Sequence, residues 1–319
     1  MNDIEVSVVI PVYNVERFIA KTIESVLRQD FESYEIILVD DGSSDSSGKI
    51  CDQYADADNR IVVIHKANGG VMSARFAGVD TARGKYIAFL DGDDRMPSDA
   101  IANMYEAINS NDVDYVIGAC VDINPEGKRI NNTIYKAEFD GFINDNISYR
   151  SHIVRRPRGM NMKMYKKDVL IAEPRVVIPP TIRNNEDLIF NILLSSKINR
   201  VMAINDIVAL IVEHSGSASR RPYKADYWCD LFEWMDLNYK KYGVFENDYM
   251  MYKLMTLYYK IVREHSECDY RHRCFENLKK YKYRRSIGFK RNIVLFVAKH
   301  PYKIIRGVLS LHPKRFLIR

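Results

Sequence analysis

The chain has 319 residues, of which 47% are hydrophobic and 28% charged, a composition typical of a globular protein that buries a sizeable core. Its apolar runs are all shorter than the roughly 20 residues of a membrane-spanning helix, and we expect no signal peptide at the N-terminus. The five cysteines are scattered and odd in number, which favours a reducing compartment such as the cytoplasm over a disulfide framework.

The net charge of +5 is unevenly distributed along the chain. Thirteen of the 47 Lys and Arg residues lie between Lys279 and Arg319, and no Asp or Glu follows Glu276. The rest of the chain therefore carries 34 basic against 42 acidic residues, a net charge of −8. This asymmetry predicts that the two ends of the molecule face different partners.

The first hundred residues alternate between short apolar runs and stretches with helical periodicity. The apolar runs are continuous rather than alternating, which is typical of parallel strands covered on both faces; they span 6–10, 36–39, 61–64 and 86–90. The helical stretches between them span 15–29, 46–57, 71–82 and 98–109. This pattern predicts an α/β domain built on a doubly wound, mostly parallel sheet flanked by helices.

After the first hundred residues, the sequence pattern changes twice. Strand-like runs at 115–123 and 207–212 are separated by mixed helices and loops, and from about residue 217 the periodicity is helical. We therefore expect a first domain over 1–216 and a helical C-terminal region over 217–319.

Polar clusters follow the first four predicted strands at 11–14, 40–45, 66–70 and 91–94. Ligands of open parallel sheets bind outside the carboxyl ends of the strands, so these clusters predict one binding site. Acidic turns and helix caps are the structural alternative for each cluster alone. The candidate ligand-binding residues are Pro11, Tyr13, Asn14, Asp40, Asp41, Asn68, Gly70, Arg75, Asp91 and Gly92.

Two of these residues have specific expected contacts. Asp41 is expected to accept hydrogen bonds from a nucleobase or a ribose hydroxyl, although an Asx turn would explain the same residue. Arg75 is expected to reach a phosphate, the alternative being a surface arginine. Asp91 and Asp93 place two carboxylates on one tight turn, a hard-oxygen set that suits Mg²⁺ or Mn²⁺ with phosphates completing the shell.

Together these motifs resemble family 2 glycosyltransferases of the GT-A fold; they are the strings at 7–14, 40–45, 73–78 and 84–94. The resemblance implies an inverting, single-displacement transfer of a hexose or N-acetylhexosamine from a nucleotide-diphosphate sugar, with UDP as the expected carrier. By the same resemblance Asp187 is the general base, Glu186 orients or binds the acceptor, and His214 is a metal or diphosphate ligand. An acidic first helical turn and a structural histidine are the alternatives.

The basic C-terminal segment combines apolar and basic residues at 287–297 and 302–311, as helices that lie on a membrane surface do. Nucleic acid and a solvated tail are the alternatives. The apolar faces, together with the lipid-linked acceptors that the resemblance implies, favour peripheral attachment to the inner face of the cell membrane. We therefore expect no nucleic-acid partner. The expected product is a surface polysaccharide, and a homo-oligomer is left open.

Two other classes of protein fit less well. A sugar-1-phosphate nucleotidyltransferase needs a Gly-rich loop after its first strand, where this chain has Pro11–Asn14. An inactive nucleotide-sugar-binding scaffold would lack Asp93 or Asp187, and both are present. His and Cys residues between 265 and 274 do not have the spacing of a zinc site and suit an amphipathic helix better.

Overall fold

A computed structural model describes residues 3–137, 139, 141–144, 159–183, 186–216 and 225–244, and single residues at 246, 253, 254, 256, 278 and 279. The chain divides into two compact units, Met1–Arg220 and Arg221–Arg319. The domain boundary expected at residue 216 stays a prediction. The His/Cys group at 265–274 and nearly all of the basic segment 279–319 lie outside the described residues.

In the described part of the first unit, eight strands form one sheet in the order β3-β2-β1-β4-β7-β5-β8-β6. The strands are β1 (Val6–Val12), β2 (Tyr34–Asp40), β3 (Ile61–His65), β4 (Tyr86–Phe89), β5 (Tyr115–Ile123), β6 (Gly141–Ile143), β7 (Lys163–Lys166) and β8 (Val201–Val212). Strands β1–β5 and β8 run in one direction, while β6 and β7 run in the other. The mostly parallel sheet is confirmed, but the two antiparallel strands were not predicted.

Helices flank this sheet. They are α1 (Ile19–Leu27), α2 (Ser47–Ala57), α3 (Val71–Thr81), α4 (Ala100–Asn111), α5 (Lys167–Ile171) and α6 (Glu186–Leu194). In the second unit, α7 (Ala225–Asn238) is followed by a 3₁₀ turn, Tyr239–Tyr242. Among the described residues, no helix is both long enough and apolar enough to cross a membrane.

The prediction of a helix over 15–29 was too long at its start. Residues 15–18 form a turn, because the backbone N–H of Val15 donates to Ser47 Oγ (2.9 Å) and that of Glu16 donates to Asp45 Oδ2 (3.1 Å). These bonds tie the loop after β1 to the loop after β2, where the predicted site lies.

Strands β1 and β2 are buried at every residue, which explains their continuous apolar sequence. Ser7 and Glu35 are polar exceptions near the amino ends of the two strands. Glu35 accepts hydrogen bonds from Ser7 Oγ (2.7 Å), Arg83 N (2.7 Å) and Arg83 Nε (2.8 Å). Burial opposes ionisation, but the hydrogen bonds from Arg83 and Ser7 outweigh it and lower the pKa of Glu35. This cluster lies at the end of the sheet opposite the predicted site.

Replacing Glu35 with Gln is expected to reduce the free energy of unfolding by about 2 kcal/mol at pH 7, because one acceptor oxygen and the charge are lost. Arg83 is solvent exposed, so its own share is screened. A carboxylate with a lowered folded-state pKa stabilises above its unfolded pKa and loses that effect as pH falls through the folded value. The gap between wild type and E35Q should therefore shrink on acidification from about pH 5 to pH 3 in urea unfolding. E32Q, at an exposed position, is the charge-matched control, and a gap that does not change with pH would contradict the account.

Candidate active site

The loop after β1 is held against the loop after β2 by Asn14. Asn14 has a left-handed backbone (φ 53°), its N–H donates to Ser43 Oγ (3.1 Å), and its Oδ1 accepts from the N–H of Ser44 (2.8 Å). Asparagine tolerates this backbone region better than most residues. The preceding Tyr13 is 51% exposed. Tyr13 is therefore available to a ligand at this edge, whereas the Asn14 side chain fixes the loop.

Asp41 anchors the loop between β3 and α3. Its carboxylate accepts hydrogen bonds from Lys66 Nζ (2.6 Å), the N–H of Gly69 (2.9 Å) and the N–H of Gly70 (2.8 Å). Gly70 has φ 86°, a conformation that an L side chain would strain, and it immediately precedes α3. The buried Asp41 thus shapes this loop, and its contact with a nucleobase or ribose stays a prediction.

Asp40, the last residue of β2, has a similar anchoring role to the Asp41 that follows it. Its Oδ1 accepts from the N–H of Ser43 (2.9 Å) and its Oδ2 lies 2.9 Å from His65 Nδ1. Asn68 is exposed, whereas Pro11 is buried in β1. A Cβ on Gly92 would lie 2.9 Å from the Pro11 carbonyl oxygen, so glycine lets the acidic turn pack directly on β1.

The acidic turn after β4 brings three carboxylates together. Asn161 Nδ2 donates to both Asp91 Oδ2 (3.0 Å) and Asp94 Oδ2 (2.6 Å), and Asp94 Oδ1 accepts from the N–H of Val212 (2.9 Å). Burial raises the pKa of Asp94 well above its usual value, and the negative charges of Asp93 and Asp91 raise it further. Asp94 therefore joins the turn to the end of β8, and the crowding of negative charge favours a cation at this edge of the sheet.

His214 meets this turn from the end of β8. Its Nε2 lies 2.8 Å from Asp93 Oδ2, and its ring stacks on Phe18 with 4.3 Å between centroids. Its Nδ1 accepts from the N–H of Gly216 (3.2 Å), so the proton is assigned to Nε2, which donates to Asp93. Burial raises the pKa of Asp93, and the negative charge of Asp91 raises it further. The hydrogen bond from His214 lowers it, but by less.

These residues fit a divalent cation that takes much of its shell from a diphosphate. Within the described part of the chain, no three acidic, His or Cys side chains form a complete metal site. Asp93 can supply one ligand. His214 can supply a second through Nε2 only with its proton on Nδ1, which breaks its bonds to Asp93 and Gly216, and both oxygens of Asp91 already accept bonds from Arg75 and Asn161. Mg²⁺ sites commonly use one or two carboxylates together with substrate phosphates and water. The sequence-predicted ligand set of Asp91, Asp93 and His214 stays a prediction.

Arg75 is buried at the centre of the acidic cluster, with only 3% of its surface exposed. Its Nη2 donates to Asp91 Oδ1 at 2.6 Å, and its Nε lies buried without a hydrogen-bond partner among the described residues. Burial opposes the charged form, but Asp91, Glu186 and Asp187 together raise the pKa of Arg75. Arg75 therefore links the acidic turn to the start of α6, and its predicted contact with a phosphate stays a prediction.

Glu186 and Asp187 open helix α6, as the sequence predicts. The N–H of Leu188 donates to Asp187 Oδ1 at 2.7 Å, and an acidic side chain at a helix start interacts favourably with the helix dipole. Burial, followed by repulsion from Asp187, raises the pKa of Glu186 to about 7. Glu186 and Asp187 thus form a close pair of carboxyl groups at the start of one helix.

The short segment Gly159–Asn161 touches both halves of the site. A Cβ on Gly159 would lie 2.9 Å from Asp187 Oδ2, while Asn161 bonds to Asp91 and Asp94. Two residues of chain span roughly 7 Å at most, so the acidic turn and Asp187 lie in the same region of the molecule. Sequence reasoning missed Gly159 and Asn161, because a lone glycine and a lone asparagine carry no recognisable spacing.

The sequence profile of glycosyl transferase family 2 matches residues 7–172, just over half of the chain. The chain is 34% identical over 227 residues to an uncharacterised glycosyltransferase, EpsJ, of Bacillus subtilis, covering 69% of this chain and 64% of that protein. It is 32% identical over 213 residues to a poly(ribitol-phosphate) beta-glucosyltransferase of Bacillus spizizenii, covering 65% of this chain and 32% of the relative. The chain therefore spans less than two thirds of these two relatives.

Among solved structures, the fold is similar to that of TarS residues 1–349 of S. aureus in complex with UDP-GlcNAc. The TM-score is 0.65 at 19% sequence identity, covering 81% of this chain and 72% of that one. This likeness confirms the GT-A class of the sheet and its flanking helices. The chain belongs to glycosyl transferase family 2.

Proposed function

We propose that the chain is an inverting glycosyltransferase that moves a sugar from a nucleoside-diphosphate donor to an acceptor hydroxyl. The observation that carries the proposal is the convergence of two distant acidic segments, the turn at Asp91–Asp94 and the pair Glu186–Asp187, around Arg75 and Gly159–Asn161. One segment suits a diphosphate with its cation, and the other suits a proton acceptor. A nucleotidyltransferase uses an ionised phosphate oxygen as its nucleophile and needs no proton acceptor for a hydroxyl, and an inactive scaffold needs none either.

In the proposed mechanism Asp187 accepts the proton of the acceptor hydroxyl as that oxygen attacks the anomeric carbon. The base and the leaving diphosphate lie on opposite faces of the sugar, so the configuration inverts. Arg75 holds Asp91 and balances the negative charge of both acidic segments. Asp93 and His214 would hold Mg²⁺ or Mn²⁺, which when bound stabilises negative charge on the diphosphate leaving group.

The proposed donor is a UDP-sugar carrying a hexose or an N-acetylhexosamine. Support comes from the structural neighbour that binds UDP-GlcNAc and from the exposed Tyr13 beside the Asn14–Ser44 loop contact, a place suited to a base that stacks on an aromatic ring. The proposed donor-contacting residues include Tyr13, Asp41 and Asn68.

The proposed acceptor is a growing, lipid-linked surface polysaccharide at the inner face of the cell membrane. One support is the similarity to the poly(ribitol-phosphate) beta-glucosyltransferase of Bacillus spizizenii. The other is the basic segment 279–319, whose positive charge suits an anionic lipid surface. Nucleic acid is not proposed as a partner, and a homo-oligomer is left open.

The test is release of free nucleoside diphosphate when the purified full chain is mixed with a panel of nucleotide sugars and Mn²⁺. Transfer or slow donor hydrolysis releases nucleoside diphosphate from a UDP-sugar and stops when EDTA is added. Release of pyrophosphate from a nucleoside triphosphate and a sugar 1-phosphate would instead identify a nucleotidyltransferase. Binding of UDP without turnover of any donor–acceptor pair would identify a scaffold.

A further inference from the structure

Three polar side chains are buried together where strand β7 meets helix α6, next to the proposed base. Asn191 Oδ1 accepts hydrogen bonds from Lys163 Nζ (2.8 Å) and from Tyr165 Oη (3.1 Å). Asn191 Nδ2 donates to the main-chain oxygen of Asp187 at 2.6 Å, one helical turn earlier. Lys163, Tyr165 and Asn191 are each no more than 1% exposed.

The chemistry of the partners fixes the orientation of the Asn191 amide. A main-chain carbonyl can only accept, so the NH₂ group must face Asp187 and Oδ1 is left to accept from Lys163 and Tyr165. An amide held at both ends cannot rotate without losing a buried hydrogen bond. Strand β7 is itself fixed in the middle of the sheet by pairing with β4 and β5. The first turn of α6 is thereby tied to the centre of the sheet.

Burying a lysine at this position costs desolvation free energy, so its presence here needs an explanation. Burial lowers the pKa of Lys163 to about 7, and the carboxylate of Asp187 acts in the opposite direction. Lys163 Nζ also lies 5.5 Å from the centre of the Tyr115 ring. A methionine would fill most of the same space without the desolvation cost, since apolar replacements of buried charges are often neutral or stabilising. Stability alone therefore does not explain the lysine.

We propose that Lys163 is a positioning residue which, through Asn191, holds Asp187 at the start of α6 in the geometry needed to take the acceptor proton. The proposal rests on the proposed function, because it assigns Asp187 as the base. Lys163 does not contact substrate in this account. It orients Asn191, and Asn191 holds the main chain of the residue that carries the base.

The test compares the full-length Lys163→Met and Lys163→Gln variants with wild type, using kcat, donor KM and UDP affinity. Met and Gln have side chains of equal length, each one atom shorter than that of lysine; Met cannot donate to Asn191, whereas Gln can. We expect kcat of Lys163→Met to fall by about 10- to 100-fold, because small misplacements of catalytic groups cost that much. Donor KM and UDP affinity should stay at wild-type values, and Lys163→Gln should recover part of the loss.

Wild-type kcat in Lys163→Met overturns the proposal, as does a parallel loss of kcat and UDP affinity, which indicates general disruption of the cleft. If Lys163→Met does not fold, Lys163→Gln and Tyr165→Phe decide, because each weakens the bonding at Asn191 Oδ1 without opening a large cavity. Both should then lower kcat at constant UDP affinity. Asp187→Asn is measured alongside. An inactive Asp187→Asn with a fully active Lys163→Met overturns this inference alone, whereas an active Asp187→Asn overturns the assigned base.

Discussion

Replacing Asp187 with Asn is expected to lower kcat by about 10²–10⁴-fold while UDP affinity stays close to wild type. Asparagine has the same shape and can still accept the N–H of Leu188, so the start of α6 should be preserved. It cannot take a proton from the acceptor hydroxyl. The measurement is single-turnover transfer at saturating donor, with UDP binding by calorimetry on the same samples.

The matched control for Asp187→Asn is Asp168→Asn. Asp168 is also an acidic residue in the first turn of a helix, α5, but it is exposed. It tests whether loss of one carboxylate from a helix start is enough to reduce activity. A variant at 187 that retains wild-type kcat would remove the base from the account, and equal losses at 168 and 187 would attribute the effect to helix stability.

Replacing Asp93 with Asn is expected to weaken UDP binding in the presence of Mn²⁺ by about 10- to 100-fold, because a neutral amide is a poor ligand for a hard cation. The remaining amide oxygen can still accept from His214, so the turn should keep its conformation. The measurement is a UDP titration with Mn²⁺ and again with EDTA. The difference between the two conditions, large in wild type, should nearly disappear in the variant.

The control for Asp93→Asn is Asp99→Asn, an exposed aspartate just before α4 that makes no side-chain capping bond. It carries the same change of charge a short distance along the chain. A variant at 93 that keeps the full difference between Mn²⁺ and EDTA would show that the cation is bound elsewhere or is not needed.

Strands β1, β2 and β4 could be predicted from the sequence because their complete burial leaves continuous apolar runs. Strand β3 has such a run as well, although it is an edge strand and only partly buried. Strand β7 could not, since Lys163 and Lys166 make half of its four residues charged. Its place between β4 and β5 depends on pairing with residues about 50 to 80 positions away, which leaves no local periodicity. Asn191 and Tyr115 both meet the buried Lys163, and neither contact can be derived from spacing.

The site was predictable to a similar degree. The acidic turn and the polar strand ends follow from the rule that ligands bind at the carboxyl edge of a parallel sheet. Asp187 and His214 entered through family resemblance, because an acidic helix start and a lone histidine are ordinary features of any chain. The partners that organise the site, Asn161 and Gly159, became visible only from their contacts, since packing rather than pattern decides which asparagine or glycine is essential.

The most direct test of the account is the anomalous scattering of manganese in crystals of the chain grown with UDP and Mn²⁺. We expect one strong peak between Asp93 and the UDP diphosphate, with His214 in the same coordination sphere and Asp187 facing the same diphosphate. A peak remote from Asp93, or UDP bound on a different face of the sheet from Asp187, would contradict the claim that the two acidic segments form one active site.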